Sequence, residues 1–510
     1  MSLCSKSNRI SGEVPFSINL ISIIVVAFIL QVISINTFPL NFDEALYVLI
    51  ARFIEHGYRP YTEIFVSQLP LFVAALSGIW NITGGSIFFS KVIFIGLNTI
   101  FLISLGYLGL KLFSQKEALF SVVLLAISTP FIAASLAIAP DLLSTTFACV
   151  AILFMSMYTE NAERKWLVLS GCFLAIAVLI DFSIAYMVLV LLILLSTRHS
   201  PIFRWDHRYI RLRSSWKNFF LDIILLLAGC FGISLVVLFV FDLRVGYEFV
   251  INFRSIVREV VPLSIQDNLH KLLVFSVDNG VLFLGMLLGI YFAYDSPRHV
   301  IWFLFVWYLI AVLWLVPQVT LQVGQVTSPW IPMTLMASWG FVQLGSRLVD
   351  IARAHWRSSV FSRVGTGLVL GIFLAIYALF SLRQTTELVN RAWQIEDEDD
   401  FIRFQAMPKV VTFVRDIALP DDCVVSDDPF FLLEADRLPP PILSEISEDR
   451  IASGYLSPEL IETVIVVNGC KAIISVNHTF QAMPDLWGWA KKFYSHYVNY
   501  GGIEIYFDGS

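Results

Sequence analysis

Apolar stretches of about 17–25 residues, the length a helix needs to cross a bilayer, recur along the whole of this chain. They lie near residues 17–37, 88–112, 117–137, 140–157, 166–182, 183–197, 218–242, 271–294, 299–317, 328–348 and 364–383. Inside hydrocarbon the backbone has no water to bond to, so such stretches must close their own hydrogen bonds as helices. Eleven spans are expected; the shorter run 69–82, interrupted by Asn81, Gly84 and Gly85, reads as interfacial. Composition closes the alternatives. Charged residues make up 15% of the 510 and hydrophobic residues 57%, whereas soluble domains carry about 25% charge. Only 6 Cys, 27 Gly and 20 Pro exclude disulfide-scaffold, collagen-like and disordered classes.

Charge sets the orientation. Met1–Phe16 carries Lys6 and Arg9 with no small-residue cleavage site after the first apolar run, which predicts a retained helix. Loop 198–217 holds Arg198, Arg204, Arg208, Arg211, Arg213 and Lys217, and loop 347–363 holds Arg347, Arg353, Arg357 and Arg363. Lys111, Lys116, Arg164 and Lys165 fall on the same side, so the positive-inside rule predicts a cytoplasmic N-terminus. Three segments are then outside: 38–87, 243–270 and everything after Arg383. The net charge of −6 is uneven, because residues 384–510 carry 21 acidic and 9 basic side chains. No soluble basic face is left for nucleic acid.

The expected division is a transmembrane part, 1–383, and an extracytoplasmic α/β domain, 384–510. In the tail, Pro408–Asp416, Pro458–Val467 and Asp485–Phe493 read as helices, and Cys423–Ser426, Ala472–Val476 and Ile503–Phe507 as strands. This alternation predicts a mainly parallel sheet. The run Glu396–Asp400 reads as a solvated linker. Cys423 and Cys470 each precede a strand and would form a disulfide if those strands are neighbours. Histidines and cysteines show no zinc spacing, and there is no Walker loop or Rossmann fingerprint, so no metal or cofactor is expected.

After the first span comes Asn41-Phe42-Asp43-Glu44-Ala45-Leu46-Tyr47. Leu46, Leu49, Ile50, Phe53 and Ile54 recur at helical spacing, which predicts a helix lying in the membrane interface. Two readings of Asp43 stand: a helix cap, or a general base held ionised at a helix N-terminus.

The segment Asp43-Glu44-Ala45-Leu46-Tyr47, then Ile50-Ala51-Arg52, Gly57, Pro60-Tyr61 and Gln68-Leu69-Pro70-Leu71, resembles the first outer loop of GT-C glycosyltransferases. The likeness is to the protein O-mannosyltransferase and aminoarabinose transferase group, and continues through Ser128-Thr129-Pro130 and Ala139-Pro140-Asp141-Leu142. Val425-Ser426-Asp427-Asp428-Pro429 is similar to the outer domain of bacterial members. Two departures are visible: Gln68-Leu69 replaces a basic residue before Pro-Pro-Leu, and Ser67 stands where aminoarabinose transferases carry Glu.

The resemblance implies a GT-C-like membrane enzyme of the cell envelope that moves a sugar from a polyprenyl-phosphate donor to a lipid, glycan or protein acceptor. It implies Asp43 as catalytic base, Glu44 beside it, and Asp141 as a second acidic residue. Asp141 also reads as a first-turn residue beside Pro140, favourable to the helix dipole. For the departing phosphate, Arg254 and Arg258 flank an apolar helical face four residues apart and would form a clamp, or would snorkel to headgroups. Arg52 and Arg244 are weaker candidates. The competing classes are a secondary transporter or lipid flippase, which would need mid-span charges and repeated halves, and a membrane base for a partner-binding tail.

Overall fold

The computed structural model describes residues 15–38, 40–199, 216–241, 265–295, 299–318, 321, 323–355, 366–393, 398–447, 450–451, 454–477 and 479–508. Nineteen α-helices and four strands are formed among them. Each expected span falls on a helix or a bent pair of helices: α1 (Phe16–Ile33), α4 (Ile87–Leu112), α5 (Gln115–Ala126) with α6 (Thr129–Leu136), α7 (Pro140–Asn161), α8 (Arg164–Ile180) and α9 (Met187–His199). Next come α10 (Trp216–Phe241), α11 (Ile265–Asp278) with α12 (Gly280–Asp295), α13 (His299–Leu315), α14 (Trp330–His355) and α15 (Thr366–Trp393).

Five of these, α1, α4, α7, α10 and α15, are long and apolar enough to cross a bilayer alone, and seven if each bent pair counts as one. Among the described residues, length and composition alone thus qualify five to seven of the eleven expected spans. α8 and α13 have 17 residues each, and α9 has 13 after a one-turn 3-10 start at Phe182–Tyr186. Both bends have local causes. Pro130, in the first turn of α6, has no N–H to extend α5, and the pair bends by 66°. Asn279 breaks α11 from α12 by 88°; its amide caps the Phe275 carbonyl at 2.9 Å and its Oδ1 accepts from the Trp330 indole at 2.9 Å.

The membrane core is one cluster built from α1 and α4–α15, with Phe101, Leu105, Cys149, Leu191, Trp307 and Met336 in its interior. Gly171 and Gly229 let α8 and α10 touch backbone to backbone, since a Cβ on either would run into the carbonyl of Leu226 or Val168. Ile21, Val25, Ile29 and Ile33 on α1, and Phe231, Leu235, Phe239 and Val240 on α10, stay exposed and suit lipid.

Between α1 and α4 lie α2 (Phe42–Glu55) and α3 (Pro70–Ile82). The C-terminal unit contains α16 (Glu398–Ile417), β1 (Val424–Ser426), α17 (Pro429–Ala435), α18 (Pro458–Asn468), β2 (Ala472–Ser475), α19 (Pro484–Phe493), β3 (His496–Tyr500) and β4 (Ile503–Phe507). The sheet order is β1-β2-β4-β3. Only β1–β2 is parallel; β2–β4 and β4–β3 are antiparallel, which corrects the expectation of a mainly parallel sheet. The reason is a hairpin at Gly501-Gly502, whose φ of +57° and +88° suit a primed two-residue turn. β1 and β2 are neighbours, and Cys423 and Cys470 form a disulfide with Cα atoms 4.3 Å apart. Glu398 opens α16, so the end of the acidic run is helical, where acidic residues favour the dipole. Glu396 and Asp397 lie outside the described residues.

The first loop and the C-terminal unit share a core. Leu46, Leu49, Ile50 and Phe53 of α2 pack with Val410, Val414, Phe431, Leu432 and Ala435. The opposite face of α2, Tyr47, Val48 and Ala51, packs with Phe72, Trp80, Phe94, Ile138 and Leu143. The apolar stripe expected to lie on lipid is covered by protein instead, and α2 runs between the membrane helices and the C-terminal unit.

Candidate active site

The N-terminus of α2 is a capping box. Asn41 Oδ1 accepts from the Glu44 N–H at 2.8 Å, and Glu44 Oε2 accepts from the Asn41 N–H at 3.3 Å. The cap is therefore Asn41, and Asp43 is free of that duty. Glu44 is buried and saturated: besides the box, its Oε1 accepts from the Ile138 N–H at 2.9 Å and lies 3.2 Å from Lys91 Nζ on α4. This pair, each side chain 4% exposed, locks α2 onto α4 and the α6–α7 connection. Beside it a cavity of about 370 Å³ is lined by Phe38, Leu40, Asn41, Lys91, Ala133 and Leu136 among others.

Asp43 sits in the first turn of α2, one step round from Glu44. Burial, and then the neighbouring Glu44 charge, hold its carboxyl above the usual aspartate range. Asp141 opens α7 behind Pro140. Its backbone carbonyl accepts from Ser144 at 2.8 Å and Thr327 at 3.3 Å, and Thr327 in turn pairs with Thr145 at 2.8 Å.

Tyr47, one turn along α2 from Asp43, marks where these groups meet. Its phenol is pushed well above its usual value, first by burial and then by Asp43, Asp141, Glu445 and Asp181. The four carboxyls whose charges act on it come from four parts of the chain: the first turn of α2, the start of α7, the end of α8 and the C-terminal unit. Asp181 is fixed by Ser183, whose N–H donates to Oδ1 at 2.9 Å. Glu445 accepts from the Ser67 hydroxyl at 3.2 Å and the Ser447 hydroxyl at 3.3 Å. Among the described residues, Asp43 and Asp141 receive no ion pair and no hydrogen bond from another residue.

The sequence-derived site residues therefore separate. Asp43 and Asp141 come together although 97 positions of sequence lie between them. Glu44 points into the Lys91 pair. Arg52, in the last turn of α2, is ion-paired with Asp436 of the C-terminal unit. Arg244, Arg254 and Arg258 lie outside the described residues. Tyr47 was visible in the motif without a role, and Asp181 only as a charge at a span end. Lys91 carried a readable signal, a lone lysine near the end of an apolar run. Glu445 carried none, since its serine- and acid-rich surroundings look like an ordinary loop.

A family described as dolichyl-phosphate-mannose-protein mannosyltransferase matches residues 67–240. No curated protein sequence matches the chain. Among solved structures, ArnT from Cupriavidus metallidurans in the apo state is 13% identical with a TM-score of 0.66, over 96% of this chain and 97% of that one. The same protein bound to undecaprenyl phosphate gives 13% and 0.65 over the same shares. The archaeal oligosaccharyltransferase AglB from Archaeoglobus fulgidus, in complex with an inhibitory peptide and a dolichol-phosphate, is 14% identical with a TM-score of 0.51, over 96% and 74%. At such identities the likeness establishes the fold. The segment 67–240 is thus similar to the dolichyl-phosphate-mannose-protein mannosyltransferase family, and the chain shares the fold of these membrane proteins over nearly its whole length.

Proposed function

We propose that the protein transfers a sugar from a polyprenyl-phosphate donor to an acceptor hydroxyl at the outer face of the membrane, with Asp43 as general base. The observation that carries this is the unengaged, half-buried Asp43 carboxyl in the first turn of α2, beside a Glu44 whose oxygens are already spent. The acceptor oxygen attacks the anomeric carbon, its proton passes to Asp43, and the carbon–oxygen bond to phosphate breaks with its electron pair leaving on the polyprenyl phosphate. A carboxyl held above its ordinary pKa of about 3.9 is a stronger base at neutral pH than a free aspartate. Asp141 orients the acceptor. Arg254 and Arg258 are the proposed phosphate clamp.

The donor class is suggested by the undecaprenyl phosphate and dolichol-phosphate in the two relatives of like fold. The division into a membrane part, 1–383, and an outer domain, 384–510, belongs to the same proposal. The Cys423–Cys470 disulfide supports an oxidising compartment for the C-terminal unit, and the basic loops support a cytoplasmic N-terminus.

The test is Asp43→Asn in the purified full-length protein, assayed for sugar transfer from a lipid-phosphate donor. Because Asn41 caps α2, folding survives while transfer falls about 10²–10⁴-fold. In the unsubstituted protein, kcat/KM declines as falling pH protonates Asp43, with a midpoint above the ~3.9 of a free aspartate. A well-folded Asp43→Asn protein with near-normal transfer overturns the mechanism.

A further inference from the structure

The reaction above gives no part to Glu445. Glu445 is 7% exposed and is brought by the C-terminal unit. Its Oε2 accepts from the Ser67 hydroxyl of the first loop at 3.2 Å, and Ser447 reaches Oε1 at 3.3 Å. Two neighbours pin the same segment to the same loop. The Ser444 hydroxyl donates to the Phe65 carbonyl at 3.1 Å, and the buried Arg450 guanidinium lies 3.9 Å from the centre of the Phe65 ring while donating to the Glu445 carbonyl. A gap of only about 10 Å³ separates Ser444 and Glu445 from Phe42 and Leu46, room for one water at most. Phe42 adjoins Asp43 on α2.

Charges of both signs act on Glu445. Burial raises its proton affinity and the Asp43 charge raises it further, against Arg450, Ser67 and Ser447, which favour the anion. A neighbouring negative charge disfavours ionisation of a carboxyl. The one that must accept a proton is Asp43, which leaves the hydrogen-bonding role to Glu445.

Resting on the transferase reading, we propose that Glu445 is a positioning residue of the transfer centre: tied to Ser67, it holds the 65–67 segment and the C-terminal unit in place over Asp43. On this view the C-terminal unit completes the site. The benefit is geometric, since a displacement of about 1 Å in a reacting group is enough to cost roughly 10²-fold in rate.

The test compares Glu445→Ala, Glu445→Gln and Ser67→Ala with the unsubstituted protein and Asp43→Asn in the same transfer assay, separating kcat from KM for donor and acceptor. Hydrogen exchange across residues 61–68 is followed alongside. Glu445→Ala lowers kcat about 10–100-fold, leaves both KM values within about two-fold, and speeds exchange at 65–67. Gln keeps the acceptor for Ser67 and restores most of the lost rate and protection. Ser67→Ala falls between, because Ser447 still holds the carboxyl. Normal kcat in a folded Glu445→Ala protein, or Gln as slow as Ala, overturns the role while an active unsubstituted protein leaves the transferase reading standing. No transfer by the unsubstituted protein refutes that reading and this role with it.

Discussion

Breaking the Glu44–Lys91 pair should unseat the helix that carries Asp43. Glu44 Oε1 and Lys91 Nζ are 3.2 Å apart and each side chain is 4% exposed, so water cannot take over if one partner goes. Removing one member of a buried pair costs about 3–5 kcal/mol. Lys91→Met keeps the chain length and removes the charge. It leaves a carboxylate that still accepts the Ile138 and Asn41 N–H groups, which places its cost near the lower bound, about 3 kcal/mol. Glu44→Gln leaves the Lys91 ammonium buried without its partner at comparable cost, although the amide oxygen can keep the Ile138 bond. The double variant removes both charges and should return to within about 1 kcal/mol of the parent, since an isosteric neutral replacement of a buried pair is often near neutral. The coupling free energy is then roughly 5–6 kcal/mol, inside the range of about 1.5–7 kcal/mol found for close, desolvated charge pairs. The assay is denaturant unfolding in detergent followed by tryptophan fluorescence, with transfer measured on the same preparations. Single variants both within about 0.5 kcal/mol of the parent, or a double variant no better than the singles, would refute the idea that this pair seats α2.

Arg258→Ala should raise the donor KM more than the acceptor KM, with Arg254→Ala similar or milder; unchanged donor kinetics in both variants assign these residues to headgroups. Arg52→Ala should matter less, because Arg52 is ion-paired with an Asp436 side chain that is 64% exposed, and such pairs contribute about 0–1 kcal/mol. Replacing Cys423 and Cys470 together by Ser should destabilise the C-terminal unit by roughly 4 kcal/mol, the chain-entropy value for a closed loop of 47–48 residues. Thiol labelling before and after reduction checks the bridge, and unchanged labelling removes it.

The parts of this protein that repeat over many residues were readable; the parts made by single long-range pairs were not. Long apolar runs located the helices because hydrocarbon allows no other backbone, though not their bends, which Pro130 and Asn279 fix locally. Asp43 and Asp141 were legible as a pattern. That the cap falls on Asn41 was a matter of two positions, within the usual uncertainty of a helix start. The parallel sheet was expected from helix–strand alternation. β3 escaped because three of its five residues are exposed and it lacks an apolar alternation, while the Gly501-Gly502 turn was the signal that gave the hairpin away. Lys91 and Glu445 depend on partners 47 and 378 positions distant, and no local pattern reports such a pairing.

The apolar stripe of α2 faces protein where lipid was expected, for a reason that bears on mechanism. A hydrophobic stripe says that a face is buried but not whether lipid or protein covers it. Here protein covers both faces: the C-terminal unit takes Leu46, Ile50 and Phe53, and the membrane helices take Tyr47, Val48 and Ala51. A helix resting on lipid would tilt and slide on its surface. A helix packed on both sides, capped at Asn41 and charge-locked to Lys91, holds its first turn in one place. Preorganisation of that kind lets a carboxyl take a proton without the reacting groups first having to be ordered. It also gives the C-terminal unit a task at the membrane, because removing its side of the sandwich would expose the Leu46–Phe53 face and free the first turn together with Asp43.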